Sequence, residues 1–239
     1  MSDSDLSRRG LLGKAGAVAA GAALGPVAAA EALEQQRRAR PHPRTPQAAL
    51  GLLRRGNRRY RQGRLQFRNY SPLGEDHASD QTPFAAIITC ADSRISPALI
   101  FDIGRGNIFV SRIAGNSIDT GTLGSTEYAV EILGVKLIMV LGHSDCGAVK
   151  SAIAVAEGKK SFPPDHYGAI GEVVETIVPR IRSIPPENRT LGRCTVATAQ
   201  TQAADIAARG PIIKPAFDAG KLGVVAAVYN IESGRVRLV

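Results

Sequence analysis

Short apolar runs alternate with longer amphipathic stretches along most of this chain. Runs that are typical of buried strands cover residues 84–89, 107–111, 136–141 and 224–229. Apolar positions at three- and four-residue spacing predict helices from residue 46 onward and over residues 122–133, 147–157, 170–182 and 189–209. This alternation predicts an α/β fold, with a mostly parallel central sheet flanked by helices.

The order of these elements predicts the connections between them. The helix over residues 122–133 lies between the second and third predicted strands and completes a βαβ unit. Residues 235–239 follow the turn Glu232-Ser233-Gly234 and predict an antiparallel edge strand at the C-terminus. Proline, glycine, serine and aspartate make residues 70–82 a predicted loop. We find no internal repeat, and we expect residues 47–239 to form a single domain.

Positive charge is concentrated near the N-terminus. The formal net charge is +9, yet residues 31–70 carry eleven arginines against only two glutamates, and the chain beyond them is near neutral. Residues 31–46 are interpreted as a basic, proline-containing arm. Such a segment can bind nucleic acid or an anionic surface. Because no nucleic-acid-binding motif accompanies it, we expect no nucleic-acid partner, and instead a solvated helix face or a segment packed across a partner subunit.

The first 30 residues have the layout of a signal peptide. Ser7-Arg8-Arg9-Gly10 precedes a weakly hydrophobic Ala/Gly run, and Ala28 and Ala30 supply an Ala-x-Ala cleavage pattern before Glu31. The twin arginine marks the Tat route. We therefore expect export by the Tat machinery to the periplasm or another extracytoplasmic compartment. The run is too short and too rich in glycine and alanine for a stable membrane span, although an uncleaved anchor is the alternative.

Two short motifs, each directly after an apolar run, carry the candidate chemistry. Cys90-Ala91-Asp92-Ser93-Arg94 follows the first predicted strand, and His143-Ser144-Asp145-Cys146 follows the third. In open α/β sheets, ligand sites form beyond the carboxyl ends of strands. Cys90, His143 and Cys146 offer two thiolates and one imidazole, a set that suits zinc and leaves a fourth tetrahedral position open, as in catalytic zinc sites.

The two motifs resemble those of the β-class carbonic anhydrases, and the resemblance runs from about Gln47 to the C-terminus. Further matching segments are Gly56-Asn57-Arg58-Arg59-Tyr60, Gln81-Thr82-Pro83, Arg112-Ile113-Ala114-Gly115-Asn116, Glu127-Tyr128-Ala129-Val130 and Val228-Tyr229-Asn230-Ile231-Glu232-Ser233-Gly234. The resemblance implies one Zn²⁺ per subunit and reversible hydration of CO₂ to bicarbonate by attack of zinc-bound hydroxide. It also implies a homodimer or a dimer of dimers.

The same resemblance assigns roles to individual residues. Asp92 would alternate between pairing with Arg94 and binding zinc as a fourth ligand in a resting state, so that the hydration rate rises toward alkaline pH. Gln81 would donate a hydrogen bond to the substrate oxygen in the neighbouring subunit's site. Phe84 and Tyr128 match apolar positions around the CO₂ pocket.

Simpler interpretations of these residues stay open. Asp92 and Arg94 are also consistent with a structural ion pair, and Phe84 and Tyr128 with ordinary core residues. Gly147 is assigned to the substrate-binding residues together with Gln81, Phe84 and Tyr128. It also opens a predicted helix, whose positive end would favour the thiolate of Cys146. The third cysteine, at position 194, is expected to be a small buried hydrophobic residue.

Three alternative functions are compatible with parts of the sequence. The same zinc set would hydrolyse a CO₂-like molecule such as carbonyl sulfide or carbon disulfide. A non-catalytic zinc-binding or bicarbonate-binding module is a second alternative, but such a protein would be expected to lose Asp92, Arg94 or a ligand, and none is missing. A basic nucleic-acid binder, the third, would not explain why the positive charge is confined to residues 31–70.

Overall fold

The computed structural model describes residues 42–68 and 81–239. The predicted signal peptide over residues 1–30, most of the basic arm over residues 31–46 and most of the loop over residues 70–82 lie outside this range. The boundaries proposed for those segments therefore stay predictions. No helix within the described ranges is long and apolar enough to cross a membrane.

A five-stranded mixed sheet forms the centre of the described chain. Its strand order is β2-β1-β3-β4-β5, and its strands are β1 (Ala85–Thr89), β2 (Ile108–Arg112), β3 (Leu137–His143), β4 (Gly223–Tyr229) and β5 (Val236–Leu238). The first four strands are parallel, and β5 pairs antiparallel with β4. The predicted α/β fold and its antiparallel edge strand are confirmed.

Helices cover the sheet. They are α1 (Pro46–Arg61), α2 (Pro97–Ile100), α3 (Thr120–Glu131), α4 (Gly147–Ala156), α5 (Pro164–Tyr167), α6 (Ile170–Arg182), α7 (Leu191–Ala207) and α8 (Ile213–Asp218). The five longer helices were predicted to within about two residues at most ends, which is the ordinary uncertainty of helix boundaries. The crossover helix α3 links β2 to β3, which lie on opposite sides of β1 rather than next to each other.

Alternate residues of the central strands pack on opposite faces of the sheet. In β1, Ala85 and Ile87 belong to a core cluster that includes Leu53 of α1, whereas Ala86 and Ile88 join a second cluster that includes Ile206 of α7. Every residue of β1 and β3 is buried. Burial on both faces explains why these strands are nearly continuous apolar runs in the sequence.

Asn57 joins α1 to two other parts of the fold. Its Nδ2 group donates to the C=O of Ile100 at 3.1 Å and to the C=O of Gly234 at 2.8 Å. Its Oδ1 atom accepts from the N–H of Val236 at 3.1 Å. The neighbouring Gly56 is equally constrained, because a Cβ at this position would lie 1.6 Å from a backbone oxygen of the residue after α2. The helix backbone therefore packs directly against α2.

Asp102, which follows α2, is a buried carboxylate held by two arginines. Its side chain is 2% exposed, and its oxygens lie 2.5 Å from Arg59 Nε and 2.5 Å from Arg68 Nη1. Burial alone would raise the pKa of Asp102, but hydrogen bonds from Arg68 and Arg59 outweigh it and lower the pKa. This ion pair connects α1 and the segment after it to the end of α2.

We predict that Asp102→Asn lowers the free energy of unfolding by about 2 kcal/mol near neutral pH, less than for a fully buried pair because both arginines keep some solvent contact. Asparagine tolerates the left-handed backbone found here, where φ is 46°. The native pKa lies below the unfolded value, so the carboxylate's contribution is complete above the unfolded pKa and is lost as pH falls through the native pKa.

Urea unfolding of both proteins at neutral pH and at about pH 3 tests this prediction. The difference between wild type and variant should shrink in acid, and a difference that stays constant with pH would contradict it.

Candidate metal centre and active site

Three potential metal ligands converge where β1 and β3 end. Thr89 of β1 pairs with Leu141 of β3, so the chain leaves both strands side by side at the carboxyl edge of the sheet. Cys90 directly follows β1, His143 is the last residue of β3, and Cys146 caps α4. The ligand atoms of these three residues all lie within 4.8 Å of one another. The structure therefore brings together the three residues that the sequence nominated.

The imidazole of His143 is oriented by a backbone carbonyl. His143 is fully buried, and its Nδ1 atom lies 2.9 Å from the C=O of Ser144. A carbonyl can only accept, so Nδ1 carries the proton and donates it, which leaves the lone pair on Nε2. Within the described ranges, Nε2 is buried and has no hydrogen-bond partner. This is the atom that a metal would bind, and the Nδ1 bond is the usual outer support of a histidine ligand.

The two thiols share a strongly coupled environment. The hydrogen bond from Cys146, followed by bonds from His143 and the backbone, lowers the pKa of Cys90 to about 4 although burial opposes the shift. The same bond with Cys90, together with burial, raises the pKa of Cys146. For His143, burial alone would lower the pKa, but the interaction with Cys90 raises it. Negative charge on sulfur is thus already favoured at Cys90.

A tight turn supports Cys90 through the backbone. The N–H of Gly115 donates to Cys90 Sγ at 3.4 Å. Gly115 has a φ of 69°, and a Cβ there would lie 2.4 Å from Ile177 Cδ1, so another residue would be strained and would displace Ile177. Gln202 of α7 is buried and donates to the C=O of Gly115 at 3.4 Å. These contacts hold the turn against the first cysteine.

The N-terminus of α4 supports Cys146. The backbone N–H groups of Val149 and Ala148, in the first turn of the helix, act to lower the pKa of the Cys146 thiol. Gly147 begins the helix, as the sequence predicts, and its role in the site stays a prediction. Cys194 packs in the same core cluster and is fully buried. Burial raises the pKa of its thiol, and the expectation of a buried cysteine is confirmed.

These residues fit a zinc ion. Zinc bonds of about 2.3 Å to sulfur and 2.0 Å to nitrogen in a tetrahedron place ligand atoms somewhat under 4 Å apart, a spacing that the 4.8 Å limit accommodates. The buried, partnerless Nε2 of His143 and the favoured thiolate of Cys90 match the donor chemistry that zinc requires. Three protein ligands are typical of catalytic rather than structural zinc sites.

Asp92 and Arg94 form a bidentate ion pair beside the three ligands. Arg94 Nε donates to Asp92 Oδ1 at 2.9 Å, and Nη2 donates to Oδ2 at 2.7 Å. The backbone N–H of Arg94 adds a third bond to Oδ1 at 2.9 Å. These bonds, the side-chain bonds first, lower the pKa of Asp92 so that it stays ionised. In this structure Asp92 is therefore paired with Arg94 through both of its carboxylate oxygens.

A second carboxylate faces the same arginine. Asp145 Oδ2 lies 3.4 Å from Arg94 Nη1, and the other oxygen of Asp145 pairs with Lys150. The contacts with Lys150 and Arg94 lower the pKa of Asp145. Charges of alternating sign therefore line the exposed rim, and Arg94 lies between two carboxylates.

Arg112 is a site residue whose contacts were not anticipated. Its Nη2 atom donates to the C=O of Asp92 at 2.7 Å, and its Nε atom donates to the C=O of Cys90 at 3.2 Å. One guanidinium group thereby fixes the backbone of both residues. The only signal in the sequence was its place at the head of the segment Arg112–Asn116, which was noted for resemblance but not for chemistry.

The other predicted substrate residues lie outside the two ligand motifs. Gln81 and Phe84 precede β1, whereas Cys90 follows it, and a five-residue strand spans about 17 Å. Phe84 is 2% exposed and belongs to the core cluster with Leu53. Tyr128 lies on α3 and is 47% exposed. The roles of these three residues stay predictions.

The fold is α/β, and a Cys-His-Cys group lies at the carboxyl edge of its sheet. This combination is typical of a class of metal-dependent enzymes, and comparisons with known proteins identify that class. A family model described as carbonic anhydrase matches residues 85–236. Carbonic anhydrase 2 of Mycobacterium tuberculosis is 38% identical over 202 residues, which cover 81% of this chain and 92% of that protein. The carbonic anhydrase of Mycolicibacterium smegmatis is 37% identical over 202 residues, with 81% and 93% covered.

Solved structures show the same relationship. The β-carbonic anhydrase CcaA superposes with a TM-score of 0.60 and 25% identity, covering 79% of this chain and 94% of its own. A tetrameric β-carbonic anhydrase of Sordaria macrospora gives a TM-score of 0.56 and 25% identity, with 68% and 83% covered. The chain belongs to the carbonic anhydrase family and is an enzyme of its β class.

Proposed function

We propose that this protein is a zinc enzyme that reversibly hydrates carbon dioxide to bicarbonate and a proton. The observation that carries the proposal is the convergence of Cys90, His143 and Cys146 within 4.8 Å, next to the paired Asp92 and Arg94, in a chain of the carbonic anhydrase family. Zinc, when bound by these three side chains, supplies a Lewis acid that makes hydroxide available near neutral pH.

Asp92 is suited to orient the attacking water. A carboxylate offers about four lone-pair sites, and Arg94 occupies two on Oδ1 and one on Oδ2. One site on Oδ2 therefore remains to accept a hydrogen bond from water. Because the pKa of Asp92 is lowered, the group acts as an acceptor throughout the working pH range and does not hold the proton itself.

Arg94 and Arg112 position this acceptor from two directions. Arg94 fixes the carboxylate, and Arg112 fixes the main chain that carries it. Because both the main chain and the carboxylate oxygens of Asp92 are held, the acceptor is pre-organised, and little reorganisation is required during the reaction. Binding of Asp92 as a fourth ligand would require all three bonds from Arg94 to break, which makes the paired and ligating states distinct.

The decisive experiment is stopped-flow CO₂ hydration by the protein beginning at Glu31, with zinc content measured on the same sample. We expect zinc-dependent turnover that rises toward alkaline pH. Asp92→Asn should lower kcat by about 100-fold or more, as expected when a pre-organised hydrogen-bonding group at the reacting centre is lost, while zinc content stays unchanged.

A flat profile from mildly acid to alkaline pH would contradict the alternation of Asp92. One zinc per chain without hydration would contradict the proposed reaction, and assays with carbonyl sulfide and carbon disulfide would then test the sulfur-containing alternatives. Glu127→Gln is a matched control, because it removes a carboxylate from α3, outside the metal centre.

We propose further that the active enzyme is at least a dimer in which Gln81 serves the partner subunit's site. Within one chain, β1 separates Gln81 from Cys90 by about 17 Å or more. Strand β2 lies at the open edge of the sheet, where Val110 is 37% exposed, and Ile132, which directly follows α3, is 63% exposed. An edge strand with exposed apolar neighbours is a ready surface for a second copy.

Subunit complementation tests this arrangement. Gln81→Ala and Asp92→Asn homodimers should each be weakly active. A mixed dimer would contain one complete site, with Asp92 of one subunit and Gln81 of the other, so activity should reappear after the two variants are refolded together. A monomer by light scattering, or no recovery in mixed dimers, would contradict the proposal.

We also propose export of the protein through the Tat pathway. The support is the sequence of residues 1–30, with Arg8 and Arg9 ahead of the Ala/Gly run and Ala28-x-Ala30 before Glu31. Mass spectrometry of the extracytoplasmic protein should find Glu31 at the N-terminus. Replacement of both arginines by lysine should retain the full-length precursor in the cytoplasm, and undiminished export of that variant would count against the Tat route.

A further inference from the structure

Ser144, between two residues of the candidate metal centre, makes three hydrogen bonds in different directions. Its N–H donates to the C=O of Tyr229 at 2.8 Å. Its Oγ accepts from the N–H of Ile231 at 3.0 Å. Its C=O accepts from His143 Nδ1 at 2.9 Å. Two of these bonds attach Ser144 to the C-terminal hairpin, which consists of β4, the turn at residues 230–235 and β5. The third bond holds the buried imidazole of His143.

The segment of the hairpin that bonds Ser144 is itself held by several hydrogen bonds. Tyr229 is the last residue of β4, and Ile231 lies two positions beyond it. Between them, Asn230 bonds through its N–H to the C=O of Arg235 at 2.8 Å and through its C=O to the N–H of Gly234 at 2.9 Å. The turn is also tied to α1, because Asn57 donates to Gly234. Ser144 is therefore anchored to a rigid element on both sides of Asn230.

This anchoring restricts the carbonyl that orients His143. The C=O, the N–H and the hydroxymethyl group of Ser144 are all attached to the same Cα, so fixing two of them limits the rotation of the third. A rotation that carried the carbonyl away from Nδ1 would strain the bonds to Tyr229 and Ile231. Without the hydroxyl, the N–H of Ile231 would lose its acceptor, and only the bond to Tyr229 would hold residue 144 to the hairpin.

We propose that Ser144 is a positioning residue for the metal centre. Its hydroxyl and N–H fix the carbonyl that keeps the proton of His143 on Nδ1 and directs Nε2 toward Cys90 and Cys146. The C-terminal hairpin is thereby part of the support of the metal centre, although none of its residues is a ligand. This inference rests on the proposed zinc site.

The competing explanation is that the hydroxyl only satisfies the Ile231 N–H. In that case its loss would lower stability and leave the imidazole unaffected. The two explanations differ in two readouts on the zinc-loaded, full enzyme. One is the exchange rate of the His143 Nδ1 proton in NMR spectra, and the other is the rate at which a chelator removes zinc.

Ser144→Ala is the principal variant. We expect zinc release to a chelator about tenfold faster than in wild type, the lower end of what loss of outer support to a metal ligand causes. The Nδ1 proton signal should broaden or exchange faster with water. Thermal unfolding of the same samples shows whether the fold is retained.

Two further variants control the interpretation. Ser144→Thr keeps the hydroxyl and should restore wild-type zinc retention. Ser233→Ala removes a hydroxyl from the same hairpin, one that bonds Asn230 Oδ1 at 2.7 Å but does not contact Ser144, and it should leave both readouts unchanged.

Equal zinc-release rates and an unchanged Nδ1 signal in Ser144→Ala would overturn the proposal. If that variant fails to fold, amide hydrogen exchange in the wild-type protein tests the proposal instead. An Ile231 amide that exchanges as fast as an exposed loop amide would show that its bond to Ser144 Oγ is absent and would overturn the proposal. A wild-type protein that binds no zinc would instead contradict the proposed function, so the two failures are distinguishable.

Discussion

The active site depends on the parallel pairing of β1 with β3. Thr89 lies opposite Leu141, and its hydroxyl donates to the C=O of Leu141 at 2.8 Å. Cys90 and His143 therefore lie next to each other at the carboxyl edge of the sheet. A register shift of a single residue would turn one of them to the opposite face. Burial of both strands on both faces makes such a shift costly, because every apolar side chain would change sides.

A buried cluster of two thiols and an imidazole is stable only when its charge is compensated. The N–H of Gly115 donates to Cys90 Sγ, the N–H groups at the start of α4 act to lower the pKa of Cys146, and the imidazole donates to a main-chain carbonyl. Arg112 then holds the backbone between the first ligand and Asp92. Backbone and arginine contacts thus hold the metal-binding side chains and Asp92 in place.

Sequence periodicity was a reliable guide to the longer elements and a poor one to the shorter helices. Strands β1 and β3 stood out because burial on both faces requires continuous apolar runs. The helices at Pro97–Ile100, Pro164–Tyr167 and Ile213–Asp218 were not predicted, since four to six residues are too few to show a helical repeat. Cys90, His143 and Cys146 were identifiable because few other residue types bind zinc, whereas the contacts of Arg112 and Ser144 use groups that occur throughout any chain.

The sequence by itself determined the strand and helix types, the residues able to bind metal and their place at strand ends, because these follow from local spacing and side-chain chemistry. Only the tertiary structure decided which partners orient those residues. Ser144 bonds to Tyr229 and Ile231 across 85 and 87 positions of chain, and Arg112 reaches back to Cys90 across 22.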